Sequence, residues 1–321
     1  MTIRGAFLDF DTVSVNDDMD LSPMREVPDI DWCFHGATRP EEVEKRIEGC
    51  GLVVVNKVVL DAATLERAAG DLRLVVIAAT GTNNVDLEAA SRLGITVCNV
   101  RGYGTPSVVQ HVYALILALT TQLPRYMQAV AEGRWQRHHQ FCILDYPIRE
   151  LNGLNLGIVG YGTLGRGVAG VAPAFGLNIL VCQRPGGAPQ SGRLPLEELL
   201  AQSDILSLHC PLTDDTRNLI GRRELQAMKD DAILINTARG GIVNEQDLVD
   251  ALGAGEIAGA AFDVLTEEPP KDGNVLLDAG LPNLIVTPHI AWASRQARQR
   301  VIGVVGTNVK AFLDGSPVNL V

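Results

Sequence analysis

No apolar run in this chain is long enough to cross a bilayer. The longest, VYALILAL at 112–119, is far short of the roughly twenty residues a membrane helix needs. The N-terminus, MTIRGAFLDFD, has neither a long apolar core nor a small-residue cleavage site, so it does not read as a signal peptide. Cysteine is sparse: Cys33, Cys50, Cys98, Cys142, Cys182 and Cys210 are dispersed, with no CxxC pair. That spacing speaks against a disulfide or zinc framework and for reduced, mostly buried thiols, as in a cytoplasmic protein. Positive charge is also short, with 27 Lys and Arg against 38 Asp and Glu, and the cations are scattered. Nucleic acid and acidic membrane surfaces are therefore not expected partners, although a local cationic pocket for a small anion is compatible with the balance. Neither a solenoid repeat nor a low-complexity segment occurs. His138 and His139, in GRWQRHHQFC, have no Cys, Asp or Glu at ligand spacing, so no metal is expected and a solvated or subunit-contact role fits them better.

What is present is the pattern of a parallel α/β protein. At 321 residues the chain exceeds what one core comfortably fills, so two domains are expected. In the first hundred residues, strand-like runs at 5–10, 51–55, 72–78 and 95–100 alternate with helical patterns such as 40–47 and 61–69. A second array places strands at 154–160, 178–183, 204–210, 232–238, 257–264 and 284–289. Between the arrays, 106–123 has the apolar density of a buried linking helix. A last helical pattern, about 292–313, follows the second array and can return to the first domain.

The second array opens on Gly160-Tyr161-Gly162-Thr163-Leu164-Gly165, a GxGxxG turn between an apolar strand and a helix-compatible run. Such a turn brings backbone N–H groups and a helix dipole to a pyrophosphate, and the strand, the helix and the next strand all agree with it. That next strand ends in Gln183 and Arg184. A carboxylate there would hold the ribose hydroxyls of NAD and repel a 2′-phosphate. Gln183 removes the repulsion and Arg184 offers a planar cation, which favours NADP(H), with NAD(H) as the alternative.

Three later strand ends carry reactive side chains: Arg239 in INTARGG, Glu267 and Glu268 in DVLTEEPP, and His289 in TPHIAWAS. Singly, each suits a structural role. At corresponding places in one βα array behind a nucleotide turn, they form the set that 2-keto acid reduction requires. A guanidinium grips the carboxylate and polarises the carbonyl, an imidazolium donates a proton, and a carboxylate favours that charged form. His209 begins HCPLT after a strand and suits contact with a cofactor edge, while His111 sits in an apolar helix pattern and reads as a packed residue.

These pieces, GYGTLG, LHCPLTDDTRNLI, INTARGGIVNEQDL, GAAFDVLTEEPP and TPHIAWAS, together resemble the D-isomer-specific 2-hydroxyacid dehydrogenase family over nearly the whole chain. The stretch 79–111 looks most like its glycerate dehydrogenase, or hydroxypyruvate (glyoxylate) reductase, branch. The resemblance implies an α/β fold of two Rossmann-like domains. A doubly wound parallel-sheet dinucleotide-binding domain (103–290) would be inserted into a flavodoxin-like substrate domain (1–102 and 291–321). It implies Arg239, Glu268 and His289 as the catalytic set, choosing Glu268 because it directly precedes proline. It implies cofactor contacts from Gly160, Tyr161, Gly162, Thr163, Leu164, Gly165, Gln183, Arg184, His209, Cys210, Pro211, Thr216, Thr237, Ala238, Asp263, His289 and Ala291. Substrate contacts would come from Thr80, Gly81, Arg239 and Trp292, the last standing equally for interdomain packing. It further implies a homodimer built on the cofactor domain through 112–150. Gln110 stands where the family commonly has Glu. The rival readings are a corepressor-like dinucleotide sensor on the same fold, or oxidation of formate or phosphite.

Overall fold

Runs of valine, isoleucine and leucine form the centres of two parallel sheets, because branched side chains pack well on a pleated surface covered on both faces. The computed structural model describes residues 2–321 apart from 185, 186 and 189. The chain divides into two units, residues 1–104 with 292–321, and residues 105–291.

In the first unit, strands β1 (Ile3–Phe7), β2 (Ile30–Phe34), β3 (Leu52–Val55), β4 (Leu74–Ile77) and β5 (Thr96–Asn99) pair in the order β2-β1-β3-β4-β5, all parallel. This is the flavodoxin-like order. Alternation along β3 and β4 sorts side chains to two faces. Leu52, Val54, Leu74 and Val76 meet Val301, Ile302, Val305 and Val309 of the last helix, Arg295–Leu313. Val53, Val55, Val75 and Ile77 face the other way, among Ile47, Leu65 and Ala90. The closing helix thus completes the core of the unit in which the chain began.

Two features differ from the sequence pattern. The first strand stops at Phe7 because Asp9 turns inward, its carboxylate accepting the backbone N–H groups of Asn56, Lys57 and Val58 at 2.8, 2.6 and 3.0 Å. The edge strand β2 has no counterpart among the expected runs. Its sequence, IDWCF, holds an acid and a single β-branched residue and is only half-buried.

The second unit opens with the helix Thr105–Thr120, whose Val108, Val112, Leu115, Ile116 and Leu119 are buried. Its strands are β6 (Asn155–Val159), β7 (Asn178–Val181), β8 (Ile205–Leu208), β9 (Ile233–Asn236), β10 (Gly259–Phe262) and β11 (Leu284–Val286). They pair in parallel in the order β11-β10-β9-β8-β6-β7. Beyond β7, Leu194 bridges Cys182, so a third strand of the dinucleotide-binding order survives as one residue. All strands run the same way, and the loops at their C-terminal ends share one edge of the sheet.

Candidate active site

β6 ends at Val159, and the chain turns at Gly160 with φ +95°. A β-carbon on Gly160 would stand 2.5 Å from the backbone at His209 and Cys210, and one on Gly165 would stand 2.1 Å from the Gly160 carbonyl oxygen. Neither position admits a side chain. At Gly162 a β-carbon would meet nothing within 4 Å, so the start of the helix Thr163–Val171 is open to an approaching group. This is the division of labour a pyrophosphate needs, and the turn fits a dinucleotide.

At the end of β7 the Gln183 backbone N–H donates to the Leu194 carbonyl (2.7 Å), and its side-chain amide donates to the Gly187 carbonyl (3.1 Å). Arg184 is exposed. Arg193, which the sequence pattern did not single out, lies over the Tyr161 ring at 5.8 Å. After β8, His209 Nε2 and Ser207 Oγ are 2.9 Å apart, and burial pushes the His209 pKa down to about 4. Among the described residues, His209 Nδ1 and Thr237 Oγ1 are buried polar atoms without a partner. Such orphans beside a nucleotide turn are what a bound cofactor can satisfy. Cys210 and Ala238 are buried, and Pro211 is exposed. The Thr216 hydroxyl is engaged locally, donating to the Pro211 carbonyl and accepting from Thr213 N–H, both at 2.7 Å.

The loops after β9, β10 and β11 interlock. Asn236, at the end of β9, accepts from Ala238 N–H (3.1 Å) and donates to the Arg239 carbonyl (3.0 Å). Arg239 is exposed, one guanidinium nitrogen donating to the Ala238 carbonyl at 2.7 Å. A β-carbon on Gly240 would be 1.8 Å from the Leu265 carbonyl oxygen, so the β9 and β10 loops touch backbone to backbone. Leu265 N–H donates to Glu268 Oε1 (2.8 Å), and Glu268 Oε2 accepts from His289 Nδ1 at 2.6 Å. Glu268, not its neighbour Glu267, carries that pair. With Nδ1 committed to the carboxylate, Nε2 is the ring nitrogen left for any other partner.

Asp263 follows β10 and is 1% exposed. Its carboxylate accepts from Thr287 Oγ1 (2.6 Å), Ile290 N–H (2.9 Å) and Ala291 N–H (2.8 Å), and its carbonyl accepts from His289 N–H (2.9 Å). His111 is packed in its helix as expected, and its Nε2 also stands 3.1 Å from Thr287 Oγ1. Gln110 is exposed. Arg239, Glu268, Asp263 and His289 therefore share one unit. Thr80, Gly81 and Trp292 belong to the other. There Thr80 Oγ1 donates to the Val100 carbonyl (2.9 Å) beyond β4, and Trp292 stands edge-on to Tyr103 at 5.9 Å. His138 and His139 stack on each other at 4.7 Å, and the described residues hold no group of three or more potential metal ligands.

A dinucleotide turn and an imidazole–carboxylate pair on one edge of an open parallel sheet define a nicotinamide-dependent oxidoreductase. Residues 113–291 match the D-isomer specific 2-hydroxyacid dehydrogenase, NAD binding domain, and the chain belongs to that family. It is 49% identical over 288 residues to a glycerate dehydrogenase of Methylorubrum extorquens, covering 90% of each chain. It is 40% identical to a hydroxypyruvate reductase of Blautia hydrogenotrophica, covering 88% of each. A crystal structure of a Thermus thermophilus protein superimposes with a TM-score of 0.86 at 35% identity, covering 99% of this chain and all of that one. Among the described residues no helix is long and apolar enough to cross a membrane.

Proposed function

We propose that this protein reduces hydroxypyruvate and glyoxylate to D-glycerate and glycolate, with NADPH preferred over NADH. The observation that carries the reading is the 2.6 Å His289–Glu268 pair, held by a loop in backbone contact with that of Arg239. Relatives named for glycerate and hydroxypyruvate support the substrate class.

The Arg239 guanidinium grips the substrate carboxylate and polarises the keto oxygen. Bound reduced nicotinamide supplies the hydride that reaches C2. His289 gives the Nε2 proton to the keto oxygen, so hydride and proton together convert the ketone to the alcohol. Glu268 accepts from Nδ1 and keeps the ring oriented before and after transfer. In the oxidative direction neutral His289 takes the hydroxyl proton. Gln183 and Arg184 support NADPH, one by lacking a carboxylate's repulsion and the other by its charge.

The same reading places the protein as a homodimer in the reducing cytoplasm. All six cysteines are unpaired. Within 112–150, Leu123, Met127, Trp135, Phe141 and Leu144 are each more than half exposed, an apolar surface suited to a second copy.

Initial rates with each acid and each dinucleotide test the proposal. Turnover of both acids is expected, with kcat/KM higher for NADPH and the preference narrowed by Arg184→Ala. His289→Ala should lose about a hundredfold or more in kcat while still binding dinucleotide. Near-normal turnover in that variant overturns the mechanism, and an NADH advantage overturns the cofactor preference alone.

A further inference from the structure

Ser107 and His111 lie four residues apart on the helix Thr105–Thr120, hence on one face. Ser107 Oγ donates to the Ala291 carbonyl at 2.8 Å. His111 Nε2 is 3.1 Å from Thr287 Oγ1. That hydroxyl has one hydrogen, which goes to Asp263 Oδ1 at 2.6 Å. Thr287 Oγ1 must therefore accept from His111, whose proton sits on Nε2. The same nitrogen is 3.6 Å from Asp263 Oδ1.

One helix face thus holds the His289 loop two residues before the histidine and two residues after it. Asp263 fills the space between, taking the N–H groups of Ile290 and Ala291 on its carboxylate and that of His289 on its carbonyl. His289 itself has φ +54°, a left-handed conformation that a side-chain-bearing residue keeps only when its surroundings impose it. The helix is also seated on the dinucleotide turn's helix. Tyr113 Oη donates to the Val168 carbonyl at 2.8 Å, and Val109 comes so close to Gly167 that a β-carbon there would stand 2.9 Å from it.

We propose that Ser107 and His111 are positioning residues that set the imidazole of His289 for proton transfer. The proposal rests on the reading of His289 as proton donor. Neither residue takes part in the chemistry. They fix the backbone on either side of the acid, and a displacement near 1 Å at a reacting group can cost about a hundredfold in rate.

The test compares His111→Leu, His111→Gln, Ser107→Ala and His289→Ala in the full-length protein, reading kcat, hydroxypyruvate KM and NADPH Kd by fluorescence titration. His111→Leu should lower kcat ten- to a hundredfold with NADPH Kd within twofold of the parent. His111→Gln, whose amide can still donate to Thr287, should recover most of that loss, and Ser107→Ala should lower kcat several-fold. Should His111→Leu fail to fold, the Gln and Ser107 variants carry the same split between kcat and Kd. Parental kcat in the His111 and Ser107 variants, or kcat and Kd failing together without rescue by Gln, overturns the proposal and leaves the role of His289 standing. Activity retained by His289→Ala overturns both.

Discussion

Gly240→Ala is the most direct probe of how the site is held together. The added methyl would sit 1.8 Å from the Leu265 carbonyl oxygen, 2.1 Å from its carbon and 2.5 Å from Thr266 nitrogen. All three are backbone atoms, so no rotamer change relieves the clash. Real contacts of this kind are not found under 3.0 Å, so the two loops must part by more than 1 Å. Arg239 moves with one loop. Glu268 moves with the other, because its Oε1 is bound to Leu265 N–H, and His289 is bound in turn to Glu268. A shift of this size at reacting groups is worth about a hundredfold in kcat/KM. Overpacking costs about 1–3 kcal/mol of stability, a Tm loss of several degrees. The dinucleotide turn follows β6, two strands from β9, so NADPH Kd should change less than kcat/KM. Steady-state kinetics with hydroxypyruvate, a thermal melt and a fluorescence titration read the three quantities. A folded Gly240→Ala protein with kcat/KM within threefold of the parent would refute the claim that contact between these loops sets the catalytic geometry.

Burial holds His209 neutral, with a pKa near 4 against about 6.5 for the unfolded chain. Between those values the unfolded state binds more protons, so this contribution is full above pH 6.5 and is lost as pH falls toward 4. Urea titrations should show up to about 3 kcal/mol of pH-dependent stability that His209→Asn removes, and identical profiles in the two proteins would sink the assignment. Light scattering should give about twice the 34.4 kDa chain mass, and Phe141→Asp, placing a charge on a side chain 90% exposed in the single chain, should shift the protein toward monomer. A monomer in the parent at micromolar concentration would remove the dimer reading.

The parallel architecture was legible because its strands are short apolar runs separated by helical patterns, and GYGTLG is a turn whose glycines each have a separate steric task. β2 was not legible. IDWCF lies at an edge, pairs only with β1, and has no reason to be uniformly apolar. The third strand of the second unit was invisible for a different reason, since one bridging residue leaves no periodicity. Arg239, Glu268 and His289 could be picked out because strand-end side chains in a parallel sheet face a common edge. The contact of His111 with Thr287 was hidden by its setting. In an apolar helix a histidine looks packed, and its partner Thr287 is 176 residues away.

The inner logic of the site lies in the order of β9, β10 and β11, three neighbours in one sheet. Each loop is fastened to the next: Gly240 packs against the Leu265 backbone, and the Asp263 carboxylate accepts the backbone N–H groups of Ile290 and Ala291. A buried carboxylate is costly unless its oxygens are bonded, and Asp263 satisfies that condition by closing the loop around His289. This leaves the bridging of acid and base to one side-chain pair, Glu268 and His289. Because Glu268 is itself held by Leu265 N–H, the carboxylate is fixed in place for the proton transfer proposed at Nε2. On the proposed reading of His289 as proton donor, the ring then needs no reorientation between the reductive and oxidative directions, as a reversible hydride transfer requires.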